Sequence, residues 1–404
     1  MSNYLFRPKA LTSWLNEYVI GQIQAKIKLA IAIHDHYLRV EPPRARPDIE
    51  IKKANVLVLG PSGCGKTLLV ELLAKKIDVP WVSADASVFT KSGYVGESAD
   101  SVIYKLYEAS GRDVKKTEKG IIYLDEVDKK AMRASADGGL DVSGEGVQQE
   151  LLQLVGGKTV KLQLGKDERG NDIEVYVNTK NILFIFSGAF TGLEDIIAKR
   201  LNVTTRSSIG FSAQIFTEEE LKEAEQQRIE LLSEVADADL IEFGFIKELV
   251  GRLQIRTAVH KLSQSQLRSI LTEPKDSIVR QQTELLGSNV LHLTFSYKAL
   301  DKIAAEASLL ATGARALTGI VEEVLAPVKY ELPRQINITA EMVSYRHQAM
   351  RNLEAGEPAY TQAMLNKREK AYHLPIHTNT IAESVAAQKA ENQREAAETA
   401  EVHG

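Results

Sequence analysis

The chain has 404 residues with 50 basic and 54 acidic side chains, so its formal net charge is −4. Its length is sufficient for more than one domain with a large core. The absence of a long basic run disfavours a nucleic-acid partner. Cys64 is the single cysteine, which excludes a disulfide within the chain and a thiolate zinc cluster, so we expect no zinc.

We predict neither a secretory signal nor a membrane span. Residues 1–21 contain no apolar stretch of the kind that a secretory signal requires. The most apolar stretch, residues 181–190, is too short and too polar at its ends to cross a bilayer. Because one cysteine also suits a reducing compartment, we expect a cytoplasmic protein with no membrane partner.

The first predicted elements are helical. Residues 11–40 have apolar side chains at three- and four-residue spacing, with a break at Gly21, which predicts helix on both sides of the break. Prolines at 42, 43 and 47 then indicate a loop. The apolar run at 56–59 is typical of a parallel strand that is buried on both faces.

The residues after this strand have the spacing GxxxxGKT of a Walker A phosphate loop. Gly60, Gly63 and Gly65 let backbone N–H groups turn toward phosphate oxygens, where the positive end of a new helix also favours an anion. Lys66 supplies a charge for the β- and γ-phosphates, and the Thr67 hydroxyl suits Mg²⁺. The predicted nucleotide-binding residues of this loop are Pro61, Ser62, Gly63, Cys64, Gly65, Lys66, Thr67 and Leu68.

A further predicted strand, 120–125, ends in two adjacent carboxylates and resembles a Walker B strand. Asp125 is expected to hold Mg²⁺, and Glu126 to orient and polarise the attacking water. Two carboxylates at an ordinary exposed strand end are the alternative interpretation, which the phosphate loop upstream disfavours. The two motifs together predict Mg²⁺-dependent nucleotide hydrolysis.

The remaining pattern predicts the domains. Strands at 81–83, 181–186 and 253–255 alternate with helical patterns, which predicts an α/β fold with a parallel sheet flanked by helices over residues 1–256. From 257 to 345 we predict a smaller, mainly helical domain, with a strand at 290–295 and helices at 298–310 and 315–332. Residues 346–404 are predicted to be a polar, partly disordered tail.

Several motifs resemble the AAA+ family and, within it, its ClpX-type branch of protein unfoldases. The resemblance covers residues 11–332 and includes, besides the Walker motifs, the segments Tyr18–Gln22, Gly93–Gly96, Asp141–Gln149, Ser187–Phe190, Gly251–Leu253 and Gly313–Arg315. It implies an AAA+ P-loop ATPase with a helical lid domain. It also implies a homohexameric ring that uses ATP and Mg²⁺.

The resemblance implies roles for single residues around the nucleotide. Val19 and Ile20 would pack on the adenine, and Ser187 lies in the region of sensor 1. Arg252 would act as an arginine finger on the γ-phosphate of the neighbouring subunit. Arg315, in the sensor-2 segment, would report the nucleotide state to the small domain. The expected catalytic residues are Glu126, Lys66 and Arg252, and the expected metal ligands are Thr67 and Asp125.

The resemblance also implies two contacts with other polypeptides. Tyr94 and Val95 lie in a segment similar to the first pore loop, where an aromatic ring grips the substrate chain without requiring one particular side chain. Ile209, Gly210 and Phe211 match the tripeptide by which ClpX-type ATPases dock on the ClpP peptidase, and exposed apolar residues suit an apolar pocket on a partner.

The sequence departs from the ClpX-type pattern at three places. The ATPase region begins near residue 1 and no cysteines are available for the family's N-terminal zinc module, so we expect that module to be lacking. Residues 164–172 mix charges and lack the histidine of the family's Arg-Lys-His cluster, which favours different substrate tags. The segment beyond Glu354 resembles no family segment.

The sequence therefore predicts an ATP-dependent unfoldase that threads polypeptides through a hexameric pore to a ClpP-type peptidase. Three alternatives remain: a remodeller of protein complexes without a peptidase, a scaffold that uses ATP as a switch, and a nucleic-acid motor or clamp loader. The full set of catalytic residues disfavours the switch. The lack of a basic stripe disfavours the motor.

Overall fold

The computed structural model describes residues 7–40, 49–90, 97–132, 143–166, 172–203, 227–287, 291–310 and 312–374. A larger α/β unit is followed along the chain by a smaller, mainly helical unit. Strands of the larger unit are β1 (Val56–Leu59), β2 (Trp81–Asp85), β3 (Ile121–Asp125), β4 (Thr159–Lys166), β5 (Asp172–Asn178), β6 (Leu183–Gly188) and β7 (Ile255–Ala258). Its helices include α1 (Pro8–Asn16), α2 (Ile23–Val40), α3 (Lys66–Lys76), α4 (Ser101–Ala109), α5 (Val114–Thr117), α6 (Ser143–Gly156), α7 (Leu193–Leu201), α8 (Asp237–Phe243) and α9 (Lys247–Val250).

The main sheet is parallel, with the strand order β2-β3-β6-β1-β7. β1 and β6 are buried along their whole length, as expected for apolar strands covered on both faces. Because parallel strands all end at the same edge, Leu59, Asp125 and Gly188 lie together at the carboxyl edge of the sheet. This edge carries the phosphate loop, the two carboxylates and Ser187.

Helices pack on both faces of this sheet, because alternate strand residues point to opposite sides. On one face α1, α2 and α3 pack on β1, β3 and β6, in a core that includes Leu15, Leu29, Leu73, Val58 and Ile185. On the other face α4 and α6 contribute to a core that includes Val102, Leu106, Leu151, Leu57 and Phe184. The predicted α/β fold with a parallel sheet flanked by helices is confirmed.

Two features of the larger unit differ from the strand prediction. β4 and β5 form an antiparallel hairpin, which turns Val160, Leu162 and Val177 into the core. No strand was predicted over these residues. β7 begins at Ile255, where the predicted strand ends, because residues 251–254 precede it as a turn closed by hydrogen bonds such as that from the Leu253 N–H to the Val250 carbonyl.

The smaller unit begins at a capping box, in which Ser263 and Gln266 satisfy each other's backbone N–H groups. Its helices are α10 (Gln264–Thr272), α11 (Ile278–Leu286), α12 (Tyr297–Ser308), α13 (Ala314–Glu331), α14 (Ala340–Glu354) and α15 (Gln362–Leu365). Its strands are β8 (His292–Ser296), β9 (Gln335–Ile338) and β10 (Ala371–Tyr372), which form a small sheet in the order β10-β8-β9.

The small unit extends through residue 374, beyond the predicted boundary at residue 345. The Tyr360 hydroxyl donates to the Val324 carbonyl at 3.2 Å, and the Glu369 carboxylate accepts from Ser296 and from the N–H of Ala340. β10 pairs antiparallel with β8. The prediction ended too early because this segment is polar overall and is held by a few buried anchors, among them Met364. Residues 375–404 of the predicted tail lie outside the described residues.

None of the helices in the described ranges combines the length and the apolarity that a bilayer crossing requires.

His36, in α2, is a buried titratable group that lies close to the start of β6. Its Nε2 lies 3.0 Å from the Asn181 carbonyl, and Nδ1 has no hydrogen-bond partner among the described residues. Burial, reinforced by the charges of Arg39 and Lys53, lowers the pKa of His36 from its ordinary value of 6.5 to about 3. The folded protein therefore holds His36 in its neutral form.

This histidine predicts a loss of stability in mild acid. As the pH falls below 6.5, the unfolded chain binds a proton at residue 36 that the folded chain does not, so the folded state loses relative stability until the pH nears 3. His36→Gln keeps a donor for the Asn181 carbonyl and does not titrate. At pH 5 the wild type should have lost about 2 kcal/mol relative to this variant, since a pKa difference of one unit corresponds to about 1.4 kcal/mol.

Urea unfolding of both proteins at several pH values measures this difference, and carboxylates that titrate in both proteins cancel in it. Parallel stability curves between neutral pH and pH 5 would contradict the assignment of a neutral buried His36.

Candidate nucleotide-binding site

The phosphate loop connects β1 to α3 and is shaped by its glycines. Gly60, Gly63 and Gly65 have φ values of 133°, 74° and 89°, which side chains rarely adopt. A Cβ at Gly60 would also collide with the Val259 carbonyl. Gly65 forms the N-cap of α3 and provides no side-chain cap, so the first N–H groups of that helix keep their capacity for an anion.

Lys66 is buried within this loop. Its Nζ donates to the carbonyls of Gly60 at 2.7 Å and Pro61 at 2.9 Å. Burial lowers the pKa of Lys66, the carboxylate of Asp125 opposes this shift, and the charge of Arg315 adds to it. The predicted lysine, Walker B aspartate and sensor-2 arginine are therefore close enough to influence one another.

The end of β3 presents the two predicted carboxylates differently. Asp125 is half-buried, and its carboxylate accepts the N–H of Glu126 at 3.0 Å. Glu126 is exposed and adopts left-handed backbone angles, with φ of 55°, which is uncommon for a residue with a side chain. This backbone conformation ends the strand, so the chain changes direction between Asp125 and Glu126. Such a change suits two carboxylates with different roles.

Tyr123, within β3, adds a hydroxyl to this site that was not among the predicted site residues. Its hydroxyl accepts a hydrogen bond from Thr67 Oγ1 at 3.4 Å. Burial raises its pKa, and the negative charge of Asp125 raises it further. Residues two apart on a strand point to the same face of the sheet. The spacing between Tyr123 and Asp125 could therefore have indicated that Tyr123 lies beside the predicted metal ligand.

Two buried oxygens at the same edge lack partners among the described residues. These are Ser187 Oγ, at the end of β6, and Asp128 Oδ1, in the short helical turn 127–130 after Glu126. The other Asp128 oxygen accepts the N–H of Phe190 at 3.3 Å and so links that turn to the end of β6. Buried oxygens without partners are unusual in native proteins and suit a site that a bound group completes.

These donors and acceptors fit a nucleotide with Mg²⁺. The loop offers N–H groups and a lysine for phosphates, and Thr67 and Asp125 offer the oxygen ligands that Mg²⁺ prefers. Within the described ranges, no group of three or more His, Cys, Asp or Glu side chains is arranged to hold a metal ion. Whether the protein uses zinc therefore stays a prediction.

The segment predicted for the adenine lies beside the phosphate loop. Val19 is buried and Ile20 half-buried in the connection between α1 and α2, and the Val19 carbonyl accepts a hydrogen bond from buried Lys26. Gln22 connects this segment to the phosphate loop and to the residues that follow β7. Its amide donates to the His260 carbonyl and accepts the His260 N–H, and it also donates to the Cys64 carbonyl at 3.4 Å. The adenine segment, the phosphate loop and the link to the small unit therefore form one contact region.

The small unit contacts the phosphate loop directly. The N–H of Ala314 donates to the Gly63 carbonyl at 3.1 Å, and a Cβ at Gly63 would collide with the Thr312 carbonyl. Arg315 is exposed in the first turn of α13, beside this contact. If the loop changes its conformation around a phosphate, this contact would therefore transmit the change to the small unit.

Arg252 is not part of this arrangement. It lies before β7, and its carbonyl accepts a hydrogen bond from the Asn55 side chain, which precedes β1. Arg252 is thus at the amino edge of the sheet, about 13 Å from the carboxyl edge, since a strand of four residues has roughly that length. Its exposed position makes it accessible to another subunit.

The structure brings together the predicted residues of the phosphate loop, β3, β6 and α13, whereas Leu68 is exposed on α3. The predicted pore residues Tyr94 and Val95 lie outside the described residues. The predicted docking residues Ile209, Gly210 and Phe211 also lie outside them.

Comparisons with known proteins agree with this geometry. A family model described as an AAA domain of the Cdc48 subfamily matches residues 51–256, and one described as the C-terminal D2-small domain of ClpB protein matches residues 262–340. A protein of Treponema denticola named "ATP-dependent Clp protease ATP-binding subunit ClpX" is 41% identical over 330 residues, or 81% of this chain and 77% of that protein. A protein of the same name from Borrelia duttonii is 42% identical over 344 residues, or 83% of this chain and 77% of that protein.

The parallel sheet, its phosphate loop and the helical unit that follows define an AAA+ nucleotide-binding protein. The relatives share more than two fifths of their aligned residues with this chain, over most of its length. The chain belongs to the ClpX family.

We predict that the Tyr123 hydroxyl supports the Mg²⁺ site through Thr67. Tyr123→Phe removes the acceptor of the Thr67 hydroxyl proton and leaves the ring in the core. Loss of such an outer contact typically weakens metal binding by about tenfold or more. The Mg²⁺ concentration that half-saturates binding of a fluorescent ATP analogue should therefore rise by about tenfold, with little change in metal-free binding.

Tyr107→Phe, in α4, provides a control, since Tyr107 is also largely buried and belongs to a different core region. Equal Mg²⁺ dependence in both variants would show that the Tyr123 hydroxyl has no part in the site.

Proposed function

We propose that this chain is an ATP-dependent protein unfoldase that works as a homohexameric ring and delivers polypeptides to a ClpP-type peptidase. The observation that carries the proposal is the placement of its charges. One edge of the sheet holds a phosphate site with Lys66, Asp125 and Glu126, and Arg252 lies at the opposite edge. A site built in this way is complete only where two subunits meet.

In this proposal each residue acts from the position described above. When bound, ATP with Mg²⁺ supplies the phosphoryl group and the metal charge that screens it. Lys66 and the N–H groups of the loop would hold the phosphate oxygens, while Thr67 and Asp125 would hold the metal. Glu126 orients the attacking water and accepts its proton, and the guanidinium of Arg252 from the neighbouring subunit neutralises charge that develops on the phosphate.

Hydrolysis is coupled to movement through the small unit. The hydrogen bond from Ala314 to Gly63 joins the phosphate loop to the small unit, and the close approach of Val259 to Gly60 joins it to the start of the link between the units. Arg315, next to the Ala314 contact, would respond to the γ-phosphate. A change in bound nucleotide then alters the angle between the two units, a rigid-body movement of a type common in nucleotide-driven proteins.

The polypeptide contacts are proposed for segments outside the described residues. Tyr94 and Val95 would grip the translocating chain within the pore, and Ile209, Gly210 and Phe211 would dock the ring on the peptidase. The names of the two relatives, which describe an ATP-binding subunit of the Clp protease, support the peptidase as partner. We place this activity in the cytoplasm, with polypeptides as the substrates.

The experiment follows a tagged fluorescent protein that loses its emission on unfolding, incubated with the hexamer, ATP and a ClpP-type peptidase. We expect ATP-dependent loss of fluorescence together with release of peptides. Loss of fluorescence without peptides would instead favour a remodeller of complexes that needs no peptidase. ATP binding without turnover would favour a scaffold that uses ATP as a switch.

Tyr94→Ala should separate ATP turnover from unfolding in this assay. Turnover should stay within about threefold of the wild type, because the nucleotide site is unchanged, while unfolding of a stable substrate should fall by at least about tenfold for loss of the aromatic contact. Tyr94→Phe keeps the ring and should retain most of the unfolding rate. If Tyr94→Ala unfolds the substrate as fast as wild type, the pore assignment is wrong.

A further inference from the structure

Gln148, in α6, is a buried glutamine whose side-chain amide joins the segment after the Walker B strand to the segment before Arg252. Its Nε2 donates to the carbonyls of Lys130 at 2.8 Å and Gly244 at 3.1 Å, and its Oε1 accepts the N–H of Ile246 at 2.8 Å. Only 1% of its surface is exposed. Both donor hydrogens and the acceptor are thus engaged, and every partner is a backbone group.

The first of these segments, residues 126–132, follows the Walker B strand, and we name it the Walker B turn. Lys130 ends the short helical turn that begins directly after Glu126. A Cβ at Gly144, in the first turn of α6, would collide with the Lys130 carbonyl, so α6 packs closely on this segment. Because Gln148 contacts the backbone of Lys130, it constrains the path of the chain that positions Glu126.

The second segment, residues 244–252, leads to the predicted arginine finger, and we name it the finger segment. Ile246 is the N-cap of α9, and the N–H of Arg252 donates to the Leu249 carbonyl at 2.9 Å. The position of Arg252 therefore depends on where α9 begins. A hydrogen bond from Met132 to the Gly244 carbonyl joins the two segments directly beside Gln148.

We propose that Gln148 is a positioning residue that holds the Walker B turn and the finger segment in a fixed relation. The inference rests on the proposed function, in which Arg252 acts on the nucleotide of the neighbouring subunit. Glu126 then serves one site of the ring and Arg252 the next, so a shift of the Walker B turn at one site moves the arginine at the adjacent site. Gln148, beside the hydrogen bond from Met132 to Gly244, couples these neighbouring sites.

The alternative is that Gln148 only satisfies buried backbone groups and stabilises the fold. A purely structural residue would lower the stability of the protein when replaced and would leave the turnover of each folded hexamer unchanged. A positioning residue would lower turnover in hexamers that still assemble and bind ATP. Its effect would also depend on Arg252, because residues that act through one another give non-additive losses.

The test uses the full chain with Gln148→Met, which keeps the length of the side chain and removes its hydrogen bonds, and Gln148→Glu, which keeps the acceptor for Ile246. Gln153→Met is the matched control, because Gln153 is exposed on the same helix. Hexamer content is measured by light scattering, ATP binding with a fluorescent analogue, and steady-state turnover over a range of ATP concentrations.

For both Gln148 variants we expect assembled hexamers, an ATP affinity within about threefold of wild type, and a kcat lower by about tenfold, while Gln153→Met resembles wild type. In an Arg252→Ala background, measured under single-turnover conditions, Gln148→Met should cause less than about a threefold further loss, since the arginine it positions is absent.

Three results would overturn the inference. They are wild-type kcat in both Gln148 variants, a full tenfold further loss in the Arg252→Ala background, or failure of both Gln148 variants to assemble, which would assign the residue to stability. Arg252→Ala alone is measured first. If it turns over ATP like the wild type, the neighbouring-subunit role of Arg252 fails, and the proposed function fails with it rather than through Gln148.

Discussion

All strands of the main sheet run in one direction, so the loops that follow β1, β3 and β6 meet at a single edge. This constraint brings the phosphate loop, the carboxylates of Asp125 and Glu126 and the hydroxyl of Ser187 together, although they are far apart in the sequence. The same constraint places Arg252, which precedes a strand, at the other edge. In the proposed function these two edges carry the two halves of a catalytic site that neighbouring subunits complete.

Two buried glutamine amides, those of Gln22 and Gln148, hold backbone groups near these two edges. Gln22 ties the adenine segment to the link between the units, and Gln148 ties the Walker B turn to the finger segment. A hydrogen bond to a backbone carbonyl or N–H fixes the path of the chain more directly than contact between side chains. When its donors and its acceptor are all hydrogen-bonded, a buried amide holds the segments around it in one arrangement. It then avoids the free-energy cost of burying an unpaired polar group. In the proposed function, these two amides lie on the route by which a change at one phosphate reaches the small unit and the next site.

The sequence was sufficient for the features whose chemistry requires neighbouring residues. The phosphate loop and the Walker B carboxylates are local motifs, and the apolar strands before them indicated the parallel sheet. Tyr123, Asp128 and Gln148 were missed because their roles depend on which segments the fold brings beside them. The hairpin β4–β5 was not predicted, although Val160 and Leu162 alternate with polar residues as in a strand. The end of the small unit was missed because it has few apolar anchors in a polar segment.

The most direct test of this account mixes two inactive chains, one with Glu126→Gln and one with Arg252→Ala. Rings of either chain alone should bind ATP and lack steady turnover. In mixed rings, a site whose Glu126 comes from one chain and whose Arg252 comes from its neighbour is complete, and random mixing at equal amounts makes about a quarter of the sites complete. We expect turnover to recover toward about a quarter of the wild-type value, in proportion to such sites. Mixed rings that remain as inactive as either parent would contradict a site shared between subunits.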